Sequence, residues 1–373
     1  MGKRELVLIS LFVVLGIGVY QFTAPPAPPG SEGVSLGGII KNMRRAIQGA
    51  RASATANSEQ TAAVDPDLHL LRVNIPRSSD ITITGEDRAD VAAEVHVSAR
   101  GFDTAEATVL ASGAKLKLER IGDALVMSLE TVTMRSAQML QATIVLKVPR
   151  RLTLRVEPHP GRFVVSGLAS ADIMGSRGET RISDMAGHVT LTHSGGALEI
   201  ERVDSLKLNT RNSHGTVKGV AGLVALDAVG GELTLSDVIG PLEIEARNAD
   251  IRMDGLKGLK GPLRFNGTGG KLRVDGLRVE ARIDGRSTDV DVTLDAPAPV
   301  TIYNLGDINV TVPPGGYTLD AVSTEGRVTI EEGGITPSEG SSQHATGKVH
   351  GGGPTLTLRA TRGSITVRKP AGK

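Results

Sequence analysis

The chain has 373 residues, 42 basic and 41 acidic side chains, a net charge of +1 and no cysteine. The charge balance gives no global attraction to nucleic acid, and the lack of cysteine excludes disulfides, zinc thiolates and a cysteine nucleophile. Aromatic residues make up only 2% of the chain and glycine numbers 46, so the core must consist of Leu, Val and Ile in regular layers.

An apolar segment opens the chain. Leu6–Phe22 has 17 residues, which is at the short end for a bilayer-spanning helix, and it follows Lys3 and Arg4. These basic residues predict a cytoplasmic N-terminus. Cleavage as a signal peptide after Ala24 is disfavoured, because Phe22 would lie at the third position before the cut and Pro25 directly after it. We expect residues 1–23 to be a cytoplasmic tip and a single transmembrane anchor, with the C-terminal domain periplasmic or extracellular.

Residues 24–64 are predicted to be a linker that is first Pro-rich and then basic and Ala-rich. It begins with the semi-rigid stretch APPAPPG. Apolar residues then recur at helical spacing between basic ones, which predicts a short helix over 36–50. Three interpretations stay open for this segment: a helix on anionic lipid, a cap on the following domain, or a loosely ordered tether.

Alternation of apolar and polar residues with period two begins near residue 65. Several such runs, bounded by glycine and proline, predict that residues 65–160 form a β-rich N-terminal part or cap of the domain that follows.

Residues 161–331 repeat with a period of about 18, and each unit divides into two halves of the form Gly-x-Leu-x-Leu plus a turn. Alternate side chains of a strand face opposite sides, so each unit supplies inward aliphatic pairs to stacked layers. We therefore predict an all-β fold, a parallel β-solenoid of the β-helix or β-roll type. One set of expected inward pairs is Leu198/Ile200, Leu233/Leu235, Ile251/Met253, Leu272/Val274, Val290/Val292 and Ile308/Val310. The other set is Val189/Leu191, Leu206/Leu208, Val224/Leu226, Leu242/Ile244, Leu263/Phe265 and Val300/Ile302.

A third apolar position follows many of the second strands, at Met185, Val203, Val238, Leu256 and Leu277. Residues 332–353 break the rhythm and are predicted to form a flexible loop. Residues 354–373 resume it and are predicted to supply closing strands and a tail.

This pattern resembles the bacterial family of membrane-tethered putative-adhesin domains, in which degenerate Gly-x-Ile/Leu-x-Val/Leu units build a β-solenoid. The resemblance rests on the segment VPRRLTLRV leading into Gly-x-x-Val repeats and on the closing GSITVRKP, and it runs from about Leu70 to Lys369. It implies a surface or envelope role and brings no catalytic residues with it.

Three histidines in successive repeats were candidates for a metal site. His188, His193 and His214 are out of register with one another, which favours solvent-facing turn residues over metal ligands. The glycine-rich turns lack the Gly-x-Asp pattern of calcium-binding rolls and the Lys-Ser/Thr of phosphate loops. Ser194 and Ser213 lie near histidines without a nucleophile motif.

Two pairs of acidic residues could carry glycoside chemistry. Asp289 and Asp291 share one strand face, as do Glu243 and Glu245. The outward face of any strand with period-two alternation has the same appearance, so these pairs favour a solvated surface.

We therefore expect no catalytic residue, no metal ligand and no cofactor, and a non-enzymatic, membrane-anchored cell-envelope protein that acts as an adhesin or a structural scaffold. An envelope polysaccharide-acting β-helix enzyme and an envelope-stress regulatory component are the alternatives. The expected partners are the membrane, through the N-terminal helix, and a protein or a glycan. A homo-oligomer stays open, and nucleic acid is not expected because charges are mixed and aromatics are few.

Overall fold

The computed structural model describes Leu15, Gly16, Val19 and residues 50–75, 79–134, 138–331 and 334–370. The predicted helix over 36–50 lies outside them except for its last residue. The same holds for the predicted anchor Leu6–Phe22, except for its three described residues, which are helical. No helix among the described residues has the length and apolar character needed to cross a bilayer.

Between residues 50 and 176 the described part of the chain forms ten strands and one helix, α1 (Thr104–Ser112). Its strands are β1 (Ala52–Ala63), β2 (Leu70–Asn74), β3 (Ser79–Glu86), β4 (Asp90–Gly101), β5 (Lys115–Ile121), β6 (Ala124–Glu130), β7 (Met139–Pro149), β8 (Thr153–Val156), β9 (Phe163–Ser166) and β10 (Ser170–Ser176).

The described residues after 176 are mostly in strands, with one 3-10 turn at Leu256–Gly258. These strands are β11 (Thr180–Val220), β12 (Val224–Ser236), β13 (Leu242–Arg247), β14 (Asp250–Asp254), β15 (Leu263–Thr268), β16 (Lys271–Leu277), β17 (Ala281–Arg286) and β18 (Asp289–Leu294). They are followed by β19 (Val300–Asn304), β20 (Ile308–Thr311), β21 (Tyr317–Ser323), β22 (Val328–Ile330), β23 (Gln343–Val349), β24 (Thr355–Ala360) and β25 (Ile365–Arg368).

The chain divides into two compact units, a small one of Met1–Thr55, Ser98–Ser112 and Val132–Leu140 and a large one of Ala56–Val97, Gly113–Thr131 and Gln141–Lys373. The small unit contains α1, which the sequence analysis missed. Asp103 Oδ1 accepts the backbone N–H of Glu106 at 2.9 Å, and Glu106 Oε2 accepts the N–H of Phe102 at 3.0 Å. The Asp-x-x-Glu spacing is thus a capping-box signal for the start of this helix.

The solenoid in the large unit has two faces, named sheet A and sheet B, in which successive strands are parallel; β5 and β23 add antiparallel pairs to β6 and β21. Following the pairing, sheet A contains β6, β2, β8, β10, segments of β11 and β12, β13, β15, β17, β19, β24 and β21. Sheet B contains β7, β3, β9, other segments of β11 and β12, β14, β16, β18, β20, β25 and β22. The predicted all-β solenoid is confirmed at this level.

Equivalent residues of successive repeats stack directly on one another. Leu206 pairs with Val224, Val224 with Leu242, and Leu242 with Leu263, so every layer continues through the sheet. Each residue of the predicted inward pairs is at most 4% exposed, and the third apolar position is at most 3% exposed. These predictions are confirmed. Burial of one such side chain stabilises the fold by about 1.5–3 kcal/mol before the entropy of ordering is subtracted.

The turn that leads into sheet B requires left-handed backbone. Asn212 and Asn248 have φ angles of 52° and 51°, and the equivalent positions Gly230 and Gly269 have 67° and 68°. The next residue also approaches the preceding repeat closely: a Cβ on Gly231 would lie 2.1 Å from the Ser213 carbonyl oxygen. Glycine and asparagine recur at this position because most other residues are strained at positive φ, and Ser287 holds the same conformation in the following repeat with a φ of 55°.

Residues 52–63, predicted to be part of the linker, form strand β1, so that prediction is wrong for this stretch. In the large unit Asn57 of β1 lies 2.5 Å from His96 Nδ1 of β4, and Gln60 Nε2 donates to the Leu116 carbonyl at 2.7 Å. A strand at the edge of a sheet can be held by hydrogen bonds with few large apolar residues, which is why composition pointed to a linker.

The predicted flexible loop over 332–353 also contains a strand, which corrects that prediction. β23 pairs antiparallel with β21 across Tyr317–Ser323 and buries Ala345 and Val349. Gln343 Oε1 accepts the backbone N–H of Val328 at 2.8 Å and so satisfies a donor of the short strand β22. β23 and its first side chain therefore protect the C-terminal end of the stack.

The C-terminal strands do not close the stack from its end, contrary to the prediction. β24 lies between β19 and β21, and β25 lies between β20 and β22. The other end has the same arrangement: β2 lies between β6 and β8, and β3 between β7 and β9. Each terminal repeat is therefore inserted one layer inside the stack.

Truncation of one inward side chain tests the layered core. Leu272 is 1% exposed on β16, so Leu272→Ala should lower the free energy of unfolding by about 2–5 kcal/mol in a chemical denaturation experiment on the full chain. The matched control is Lys271→Ala on the neighbouring outward position, which should change it by less than about 0.5 kcal/mol. Equal effects of the two substitutions would contradict the assignment of the inward face.

Candidate functional site

The outward face of sheet A carries an open hollow of about 790 Å³. Strands β11, β12, β13, β15 and β17 supply its walls, because their outward residues stack in register across successive repeats. Its charged lining consists of Lys207, Asp227, Glu243, Glu245, Arg264, Glu280, Arg282 and Asp284. The hollow is within the usual volume range of ligand sites.

Ion pairs within strands and between neighbouring strands engage most of these carboxylates. Glu243 lies 3.8 Å from Arg264, and Asp284 lies 2.8 Å from Arg282. Arg247 lies 3.6 Å from Asp227 and 4.0 Å from Glu245. These pairs are solvent-exposed, so they contribute little to stability, but they leave a surface of alternating charge.

The two candidate acidic pairs are not brought together. Glu243 and Glu245 lie in the hollow on β13 of sheet A, whereas Asp289 and Asp291 project outward from β18 of sheet B. Neither aspartate has an ion pair among the described residues. All four carboxylates are exposed to solvent, as the sequence predicted.

His193 is not a solvent-facing turn residue, which corrects the prediction for this histidine. It is 1% exposed, its Nε2–H donates to the Gly178 carbonyl at 3.0 Å, and its Nδ1 lies 2.8 Å from Ser213 Oγ. Burial lowers the pKa of the His193 imidazole, and the hydrogen bond to Gly178 opposes that effect. The period-two pattern of Val189 and Leu191 continues to position 193, so the inward orientation was readable from the sequence.

The hydrogen bond between Ser213 and His193 has the form of a nucleophile and its base, but Ser213 is 0% exposed. A substrate cannot reach it, so the pair satisfies polar groups inside the corner of the solenoid. His188 is exposed and hydrogen-bonded to Ser205 Oγ at 3.1 Å. The part of the chain that the structure describes contains no cluster of three or more His, Asp or Glu side chains suited to a metal ion.

The buried imidazole gives a testable dependence of stability on pH. Because the folded-state pKa of His193 is lowered, the unfolded chain binds a proton first as the pH falls, and stability is lost from the unfolded value of about 6.5 downwards. The stability difference between the wild type and His193→Gln should therefore be largest above pH 7 and shrink below it. Ser213→Ala keeps the titrating ring and should keep the pH dependence. A difference that does not vary with pH would contradict the buried neutral ring.

Comparison with known proteins gives one family and several distant structures. Among proteins with curated descriptions none matches the chain. A solved structure from Clostridium sporogenes, described as a putative cell adhesion protein, has 9% identity and a TM-score of 0.21, over 84% of this chain and 100% of that one. A putative adhesin from Parabacteroides merdae has 10% identity and a TM-score of 0.22, over 83% and 95%. A putative lipid binding protein from Parabacteroides distasonis has 10% identity and a TM-score of 0.26, over 86% and 98%.

The family comparison covers most of the chain. The model of the family described as Toastrack DUF4097 matches residues 71–368, which span both sheets of the solenoid from β2 to β25. The chain belongs to the Toastrack DUF4097 family.

Proposed function

We propose that the chain is a non-enzymatic, membrane-anchored cell-envelope protein, an adhesin or scaffold, that holds a partner on the outward face of sheet A. The hollow of about 790 Å³ on that face is the observation that carries the proposal. A regular stack of parallel strands holds its walls in fixed register, so the outward side chains form a pre-organised surface.

The electrostatics of the hollow favour binding over catalysis. General acid–base work on a glycoside needs one protonated and one ionised carboxyl at a suitable separation. Here Glu243, Asp227 and Asp284 each lie within 4 Å of an arginine, so these carboxylates are already engaged in ion pairs within the protein. Alternating charges suit a polar partner surface, because complementary pairs give specificity.

The position at the envelope is supported by the sequence at the N-terminus. Leu6–Phe22 follows Lys3 and Arg4, and a Pro-rich stretch separates it from the solenoid. In this proposal the N-terminus is cytoplasmic and the solenoid is held outside the membrane, where the outward face of sheet A is accessible to another molecule.

Charge reversal in the hollow tests the binding face. Vesicles carrying the full chain should adhere to an immobilised preparation of cell envelope, and Glu243→Arg with Glu245→Arg should weaken adhesion about 10-fold, since both new charges face existing arginines. The matched control is Asp289→Arg with Asp291→Arg on sheet B, which should leave adhesion unchanged. Protease treatment of the preparation tells a protein partner from a glycan.

Two outcomes would contradict this proposal. Equal adhesion of both double variants would remove sheet A as the binding face. The wild type could instead release sugar from the envelope preparation, with the release lost in Glu243→Gln or Glu245→Gln. That result would favour the alternative of a polysaccharide-acting enzyme over a binding protein.

The anchor has its own test. The full chain should sediment with membranes and resist extraction at high salt, and protease added outside intact cells or spheroplasts should digest the solenoid. Substitution of Leu8, Val13 and Val14 by Asp should release the chain into the soluble fraction, because each charge in a bilayer-spanning helix costs about 2.5–3.5 kcal/mol. Leu206→Met, a conservative change in the solenoid core, is the control that should stay in the membrane fraction.

A further inference from the structure

An exposed aromatic ring stands out on sheet A. Tyr303 projects outward from β19 and is 42% exposed, and it is the one aromatic among the exposed large hydrophobic side chains of the described residues. Aromatic residues are only 2% of the chain, and most other outward positions of this sheet from β11 to β24 carry charged or small polar residues. The core gains nothing from an outward ring, so packing does not explain this tyrosine.

The ring is held in place by its neighbours. The Cζ of Arg282 lies 5.5 Å from the centre of the Tyr303 ring, and the same guanidinium donates to Asp284 through Nε at 2.8 Å and through Nη2 at 3.2 Å. Arg282 thus stacks on one face of the ring and is itself fixed by a bidentate pair.

A recess of about 480 Å³ adjoins this ring. It is lined by Gly285, Arg286, Tyr303, Asn304, Leu305, Arg359 and Thr361. The corner beneath it is rigid: Asn304 is 3% exposed and its Nδ2 donates to the carbonyls of Thr288 at 2.7 Å and Asp307 at 2.9 Å. Gly285 is required beside it, because a Cβ there would lie 2.7 Å from Asn304 Oδ1.

The two arginines of the recess differ in whether other groups of the protein bind their side chains. Arg359 pairs with the Asp320 carboxylate and donates to the Asp320 carbonyl at 2.8 Å, and this guanidinium holds the pKa of Asp320 below its usual range. Arg286 is exposed, and no ion pair or side-chain hydrogen bond engages it within the described residues. One guanidinium of the recess is therefore available for an external anion.

We infer that this recess is a subsite for a sugar that carries a carboxylate, such as a uronic acid residue of a glycan. The carboxylate accepts a bidentate hydrogen bond from Arg286, the apolar C–H face of the pyranose packs on Tyr303, and Thr361 can hydrogen-bond a hydroxyl. The inference rests on the proposed function and names the partner chemistry of the same sheet face.

The surroundings favour a glycan with isolated negative charges over a nucleic acid. A single-stranded nucleic acid needs several aromatic rings for successive bases and a basic groove for its backbone. The recess offers one ring, and the adjacent hollow is lined by five carboxylates against three cations. A continuous polyanion would be repelled there, whereas neutral sugars next to one acidic unit would not.

Calorimetric titration of the full chain tests the subsite with methyl β-glucuronide, methyl β-glucoside, acetate and oligothymidylate as probes. The glucuronide should bind about 10-fold more tightly than the glucoside, and Arg286→Gln should abolish that preference. Tyr303→Ala should weaken both sugars, and Tyr303→Phe should retain them. The matched control is Arg211→Gln. Arg211 has the same position on β11 as Arg286 has on β17, without an aromatic neighbour, so this variant should bind as the wild type does.

Several results would overturn the inference. Acetate binding as tight as that of the glucuronide would reduce the recess to an anion site, and tighter binding of oligothymidylate would make it a nucleic acid site. No loss in Arg286→Gln or an equal loss in Arg211→Gln would remove the residue assignment. If sugar binding fails while charge reversal at Glu243 and Glu245 still abolishes adhesion, the proposed function stands without this subsite. If the sugar binds but charge reversal at Glu243 and Glu245 leaves adhesion unchanged, the proposed function fails instead.

Discussion

Register between successive repeats is the constraint on which this structure depends. Leu206, Val224, Leu242 and Leu263 occupy one continuous column because each strand pairs with the next one repeat further along the chain. A slip by one residue would turn every aliphatic pair outward, so the hydrophobic effect and the hydrogen-bond ladder enforce the same alignment. The same register aligns the outward residues of successive repeats in columns. The charged hollow and the recess beside Tyr303 are therefore as well positioned as the core beneath them.

Periodicity predicted the interior well and the edges poorly. The inward pairs follow from alternation alone, and each of them is buried. β1 escaped prediction because alanine, serine and threonine predominate in it, and β23 because it mixes polar and small residues with a single valine. His193 lay at an inward position, but a polar residue type suggested solvent. The helix α1 was overlooked although Asp103 and Glu106 have the spacing of a capping box.

The candidate site was only partly accessible to sequence reasoning. Glu243 and Glu245 were recognised as one outward face, but the arginines that pair with them lie up to about one repeat away, and alternation does not report which side chains meet across strands. The role of Tyr303 depends on Arg282 of the preceding repeat and Arg359 of a repeat that follows far later in the chain. Such neighbours are set by topology, so only the structure brings them together.

That topology has a consequence for how the molecule is made. β24 and β25 lie between strands that precede them in the chain, so the layer formed by β21 and β22 has no parallel neighbour until β24 and β25 are synthesised. The native strand order of this part of the solenoid is therefore complete only when β24 and β25 have paired on both sides. In the folded protein β24 and β25 are each hydrogen-bonded to a strand on both sides. Local unfolding of β24 and β25 would require the loss of pairing on both sides, which makes opening of this layer more costly than opening of an edge strand.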